Sequence, residues 1–173
     1  MKFHRNLVIG LVLLLWGGGV LAQDCSSSII PSAPNSRYQN NGDGTITDLS
    51  TGLMWQQCSL GGNCDGSARS YKWNEALQAP EIMNANGGFA GYSDWRLPNI
   101  KELASLLEVA CWIPVINTNV FPKTMSWRYW SSSPSLNENS SWSVNFSIGH
   151  VNIVDRRANI GYGGYHVRLV RDR

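Results

Sequence analysis

Arg156 and Arg157 stand side by side near the end of the chain, with His150 shortly before them and Arg168 after them. Adjacent guanidinium groups can each grip a sulfate or carboxylate through paired N–H donors, which lysine matches only as a point charge. Upstream, Trp127 and Trp130 flank Arg128. A cation among aromatic faces suits an anionic sugar, because rings stack on sugars and attract cations. Trp127, Arg128, Trp130, His150, Arg156, Arg157 and Arg168 are therefore the candidate ligand-binding residues. The competing reading is a solvated face whose charges pair internally, with Asp155 the nearest acid to the arginine pair.

Catalytic chemistry finds less support, and no catalytic residue is assigned. Past the leader only His150 and His166 remain, in no metal-binding spacing. The serine runs Ser26–Ser28, Ser131–Ser133 and Ser140–Ser141 lack the context of a nucleophile elbow. Asp43, Asp48, Asp94 and Glu102 are carboxylates whose clustering sequence cannot show. Asn40 to Asp48 carries oxygen-bearing side chains at alternating positions, as calcium loops do, but lacks the closing Glu, and its glycines are explained by a tight turn. No metal and no cofactor is expected.

The N-terminus points to export. Lys2 and Arg5 precede an apolar stretch, Leu7 to Leu21, which ends at Val20-Leu21-Ala22 and opens into polar Gln23-Asp24-Cys25. That is the pattern of a cleaved signal peptide, shorter than the ~20 residues of a membrane anchor. Residues 1–22 are read as leader, 23–36 (rich in Ser, Pro and Asn) as an extended arm, and 37–173 as one domain with no membrane span after leader removal. Without Lys2 and Arg5, the 14 basic residues fall to 12 against 12 acidic ones. A neutral chain argues against a generic nucleic-acid binder. The charge is nonetheless split, at −4 over residues 23–122 and +4 over 123–173, which hints at an anion-facing surface. Four cysteines behind an export signal read as two disulfides. Of the three possible pairings, Cys58–Cys64 with Cys25–Cys111 is favoured, the first closing a tight loop and the second tying the N-terminus to the middle of the chain. A zinc site is disfavoured because no C-x-x-C spacing occurs.

The elements that must position these residues follow from pattern. Asn41-Gly-Asp-Gly44 is a turn into a short strand at Thr45–Thr47, with another at Leu53–Gln56. A first helix is expected after a Ser70 cap, burying Trp73, Ala76, Leu77, Ile82 and Met83, with Pro80 stopping or kinking it. Asn99 and Glu102 form a capping box for a second helix, with Ile100, Leu103, Leu106 and Leu107 as its buried stripe. Trp142 to Ile148 alternates apolar and polar residues, as a strand with one buried face does. Val151–Val154 and Tyr165–Leu169 read as its partners, with His166 and Arg168 outward, and Asn159–Gly164 as a Gly-rich loop. Trp55, Trp73, Trp95 and Trp142 are expected in the core. Arg96 is placed to pair with Asp94 or with carbonyls. The fold class is α+β, with two helices and several short antiparallel strands.

A family signature also runs along the chain: Asp43-Gly-Thr-Ile-Thr-Asp48, Thr51-Gly-Leu-Met-Trp55, Gly91-Tyr-Ser-Asp-Trp-Arg-Leu-Pro-Asn-Ile-Lys-Glu-Leu103, Pro114-Val-Ile-Asn-Thr118, Phe121-Pro122, Tyr129-Trp-Ser-Ser-Ser-Pro134 and Val167-Arg-Leu-Val-Arg171. Over residues 37–171 this resembles the C-terminal domain of the Legionella collagen-like protein. The resemblance implies a C-type-lectin-like α+β domain, export, and for the namesake adhesion through sulfated polysaccharides. The same fold serves formylglycine-generating enzymes, which need reactive cysteines where disulfides are expected here. No Gly-X-Y collagen repeat is present. The expected function is a secreted, periplasmic or surface-exposed recognition module, adhesin-like, for anionic polysaccharide or a surface protein, with oligomerisation open. The alternative is a structural or accessory subunit of a surface assembly such as a pilus. A basic cluster on one exposed face favours binding, whereas an exposed apolar patch or unpaired strand edge favours assembly.

Overall fold

The first local structure is a hairpin set by its turn chemistry. Asp43 Oδ1 accepts from the Thr45 N–H (3.0 Å) and hydroxyl (2.6 Å), and the Asn41 amide donates to the Thr45 and Thr47 hydroxyls. Gly44 closes the turn at φ +86°, where a Cβ would meet Phe89 Cζ at 2.9 Å. In this computed structural model, which describes residues 23–157 and 164–173, the hairpin joins β2 (Tyr38–Asn40) to β3 (Thr45–Asp48). The leader and the segment 159–163 of the expected loop lie outside the described residues. β1 (Asp24–Cys25) precedes them, β4 (Leu53–Gln56) pairs with β3, and the C-terminal β9 (Val170–Asp172) pairs with β4, giving the antiparallel order β2-β3-β4-β9.

Helix α1 spans Trp73–Ala85 and its N-cap is Lys72, not Ser70. A lysine side chain has no acceptor, so only the return half of a capping box forms: the Lys72 N–H donates to Glu75 Oε2 at 3.0 Å. Pro80 does not stop the helix, which runs five residues past it. The ring removes one backbone bond, and burial of Pro80 with Ala76 against the core offsets that loss. Ile82 is 60 % exposed, contrary to expectation. At 3.6 residues per turn, nine residues from Trp73 is half a turn away from its face.

Helix α2 (Ile100–Ala104) has the expected capping box: Asn99 Oδ1 accepts from the Lys101 and Glu102 N–H groups, and Glu102 Oε2 accepts from the Asn99 N–H. Leu103 and Leu106 are buried, with Ile100 and Leu107 packed against them. β5 (Cys111–Trp112) then pairs with β1, putting Cys25 opposite Cys111, and the two are joined by a disulfide; Cys58–Cys64 forms the second. Residues of the N-terminal arm are docked: Glu108 accepts from the Ser32 and Ala33 N–H groups at 3.1 and 2.7 Å.

The second sheet, β6 (Arg128–Pro134), β7 (Ser140–Asn145) and β8 (His150–Asp155), is antiparallel in the order β6-β7-β8. Successive strand residues face opposite sides. Tyr129 and Val144 join one core, with Trp55, Leu103 and Phe121, while Trp130 and Val154 join another, with Trp95, Tyr165 and Leu169. Both faces of this sheet are thus covered, which corrects the reading of β7 as a strand with a polar outer face. Ser141 and Ser143 are as buried as Val144.

The expected strand over Tyr165–Leu169 is instead a run of isolated bridges, Tyr71 to Tyr165 and Tyr129 to His166, beside β6 rather than β7. Gly164 leads into it where a Cβ would collide with the Tyr71 carbonyl. His166 and Arg168 are buried, not outward. The run is wedged between the two sheets, so neither side of it meets water.

Candidate functional site

The register of the second sheet decides which basic residues meet. Arg128 is opposite Asn145, which is opposite His150, so Arg128 and His150 share one end of one sheet face. Arg156 follows β8 on the same face, reaching back to Ser141. Six residues at ~3.3 Å each separate His150 from Arg156 by about 20 Å. The face therefore carries two basic ends rather than one cluster.

At the Arg156 end, the start of α1 and the end of β8 enclose an open cleft of about 430 Å³ lined by Lys72, Trp73, Asn74, Arg156 and Arg157. Arg156 Nε donates to Ser141 Oγ and Nη1 to the Glu138 carbonyl, both at 2.7 Å. Those bonds lay the guanidinium over the Trp73 ring, 3.9 Å from its centroid. Trp73 is itself pinned by Nε1 donating to the Ser131 carbonyl at 2.9 Å. The cation is thus preorganised before any ligand arrives.

Arg157 is held differently. Its Nε and Nη2 donate to Asp155 at 3.2 and 3.0 Å, and its backbone N–H donates to the same carboxylate. The side-chain hydrogen bond holds the Asp155 carboxyl below its usual range and raises Arg157. Both groups are exposed, so water screens the pair and leaves it exchangeable.

At the other end, the Arg128 guanidinium lies 5.7 Å from the centroids of both Trp127 and Tyr165. Trp127 is half-buried and His150 exposed. Trp130 is no stacking platform: it is 0 % exposed, donates from Nε1 to the Tyr71 carbonyl at 2.8 Å and packs 4.5 Å from Tyr165. Arg168 is no ligand residue either. Also at 0 % exposure, it donates from Nη1 to the Gln56 and Gln57 carbonyls and from Nη2 to Thr124 Oγ1, with its guanidinium 4.8 Å from the Phe121 centroid. Burial lowers its affinity for the proton. No carboxylate among the described residues bonds to it, so carbonyls and ring faces carry its charge.

Sequence reading missed Lys72 and assigned Trp73 to the core. Trp73 does pack against the second core, as expected, but is only half-buried and leaves one ring face to Arg156, while the N-cap Lys72 beside it is exposed. The sequence signature is otherwise structural. Arg96 does not pair with Asp94: it binds Glu102 in two bonds of 2.8 and 2.9 Å and Asp172 at 3.0 Å, while Asp94 takes Arg171. Arg37 clamps buried Asp48 through Nε (2.9 Å) and Nη2 (2.5 Å).

A second concavity, about 490 Å³ and apolar, opens beside the Cys25–Cys111 bridge between Trp112, Ile113, Val115 and Ile148. Among the described residues no helix is long and apolar enough to cross a membrane.

No curated protein matches the chain. The family model for the Lcl C-terminal domain matches residues 44–171, from the Gly44 turn through Arg171. The motifs of that span are the ones now seen to hold the fold together, and together with the disulfides they suggest an extracellular protein. The chain belongs to the Lcl C-terminal domain family.

Proposed function

We propose that the protein is an exported recognition module for anionic polysaccharide, with sulfated chains as the preferred ligand class. The observation that carries this reading is the cleft in which Lys72, Arg156 and Arg157 surround Trp73. Of the acidic residues beside it, Asp155 and Glu75 are already engaged by Arg157 and by the Lys72 N–H, and Glu138 meets Arg156 through its backbone carbonyl. A sulfate would take over Arg157 from Asp155 and meet Arg156 in a geometry that is already set. Such charge-assisted bonds are stronger than neutral ones and weaken with salt where exposed. Arg128, His150 and Trp127 supply a second contact on the same sheet face for a polymer long enough to reach both ends.

In the same reading, residues 1–22 are a removed leader, 23–36 an arm and 37–173 the functional domain. The mixed fold of small antiparallel sheets is consistent with a C-type-lectin-like domain. The test is retention of the purified protein on a heparin column at low salt with elution as salt rises. Protein that flows straight through overturns the ligand reading.

A subunit of a surface assembly is the second reading. It is supported by the apolar concavity at Trp112 and Ile113, both exposed, and by the outer edge of β8.

A further inference from the structure

Strand β8 ends the second sheet, and its outer edge has no strand partner among the described residues. An open edge offers a row of unpaired N–H and C=O groups, and soluble proteins blunt such edges with lysine, proline, a bulge or brevity. β8 has none of these. It reads His-Val-Asn-Ile-Val-Asp over six residues, and its pairing with β7 runs without a register shift from Ser140–Asp155 to Asn145–His150. The β6–β7 pairing, by contrast, shifts between Trp130 and Pro134. Val151 and Ile153 belong to the face that buries Val144, yet remain 40 and 52 % exposed because the core beneath stops short of the edge.

We infer that β8 is a homodimerisation edge, pairing antiparallel with β8 of a second copy about a two-fold axis at Asn152. A two-fold axis normal to the sheet keeps every side chain on its own face, so a residue must oppose one of the same parity. Centred on Asn152, the register sets Val151 against Ile153 of the second copy, Asn152 against Asn152, and His150 against Val154. The exposed apolar side chains then cover one another, and no like charges are opposed. Centred on Ile153 instead, Asp155 would be set against Val151 and His150 against Arg156, so the first register is favoured.

The dimer is a continuous six-stranded sheet, with the two Arg156 side chains on one face. Arg156 lies opposite Ile148 of the second copy, so eight residues separate the two arginines, about 26 Å along the strands. The dimer itself does not depend on the ligand reading. If both hold, a long polymer meets two linked sites and gains avidity without new contacts.

The test uses the disulfide-bonded protein in sedimentation or light scattering, with two cysteine variants read on a non-reducing gel. The wild type should be a dimer at high concentration and dissociate on dilution. Val151→Lys should be monomeric throughout, with the Tm that the wild type shows once diluted to monomer, since pairing itself stabilises the fold. Heparin retention of the dilute, monomeric wild type reports separately on the ligand reading. Residues directly opposed lie ~4.5–5.5 Å apart at Cα, within disulfide range, whereas diagonal ones at ~7–8 Å do not. Asn152→Cys should therefore cross-link to itself and Val151→Cys should not. A wild type that stays monomeric up to its solubility limit, a Val151→Lys variant that remains dimeric, or cross-linking as efficient at 151 as at 152 would each overturn the inference.

Discussion

The Arg156 guanidinium carbon lies 3.9 Å from the centroid of the Trp73 ring, joining the end of β8 to the first turn of α1. The contact separates two arginines that are indistinguishable in the sequence. Arg156 is fixed by Ser141, Glu138 and the Trp73 ring, whereas Arg157 rests on exposed Asp155 alone.

Their alanine variants should therefore differ. Arg157→Ala and Lys72→Ala should each lower the salt concentration at which the protein leaves a heparin column while leaving Tm unchanged. Arg156→Ala should lower it too, but at a stability loss of about 1–2 kcal/mol from two hydrogen bonds and a cation–π contact. The double change at 156 and 157 is then not stability-neutral. Equal retention of all three variants and the wild type would place any polysaccharide contact elsewhere, with Arg128 next.

Arg168 should behave as a structural cation. Arg168→Met leaves the Gln56 and Gln57 carbonyls and Thr124 without their donor. Stranded buried polar groups of this kind cost about 3 kcal/mol or more together. Denaturation should show that loss, and the fraction still folded should bind heparin as the wild type does. Weakened binding with full stability would contradict the assignment.

Much of this was legible in the sequence because it is local. The Asp43–Thr45 turn, the Asn99–Glu102 capping box and the alternation that makes β7 and β8 strands depend on neighbours within a few residues. Cysteine count and the leader pointed to two disulfides, and the choice among the three pairings followed from the tight Cys58–Cys64 loop and the tether of the N-terminus, as observed. Arg168 was misread because alternation assigns residues to two faces and cannot say whether a third layer covers the second one, and Trp130 because its stretch reads as a loop although it lies in β6. Here α1 and the Tyr165–Leu169 run cover it, so residues that pattern alone would expose are buried. Lys72 went unnoticed because its partners in the cleft, Arg156 and Arg157, are more than eighty residues away.

Removal of each disulfide should scale with the loop it closes. Cys25–Cys111 spans 86 residues and Cys58–Cys64 spans 6. Chain entropy assigns them about 4–5 and about 2 kcal/mol. A double Cys→Ser change at 25 and 111 should therefore lower the unfolding free energy about twice as much as one at 58 and 64. Equal losses would show that the tether of β1 to β5 holds little beyond what Glu108 already fixes at Ser32 and Ala33.

Acid should weaken the fold in two stages. His166 is buried, which lowers its proton affinity below the ordinary histidine value, although its hydrogen bond to the Arg69 carbonyl (3.0 Å) works in the opposite direction. Above ~6.5 it is neutral both folded and unfolded; below that, the unfolded chain binds a proton that the fold resists, so stability falls as pH drops toward the lower folded value. Asp48 acts lower on the scale. Burial alone would raise its carboxyl, but the hydrogen bonds from Arg37, Thr51 and the Ser50 N–H outweigh that and hold it below the ordinary aspartate value. Its contribution is complete above ~4 and is lost as pH falls through the folded value. His166→Asn, whose amide can donate to the Arg69 carbonyl as Nδ1–H does, should remove the upper slope and leave the lower one. Asp48→Asn should lower stability at neutral pH and flatten the acid limb. Urea unfolding followed between pH 7 and 3 separates the two, and an upper slope that persists in His166→Asn would rule out His166 as its source.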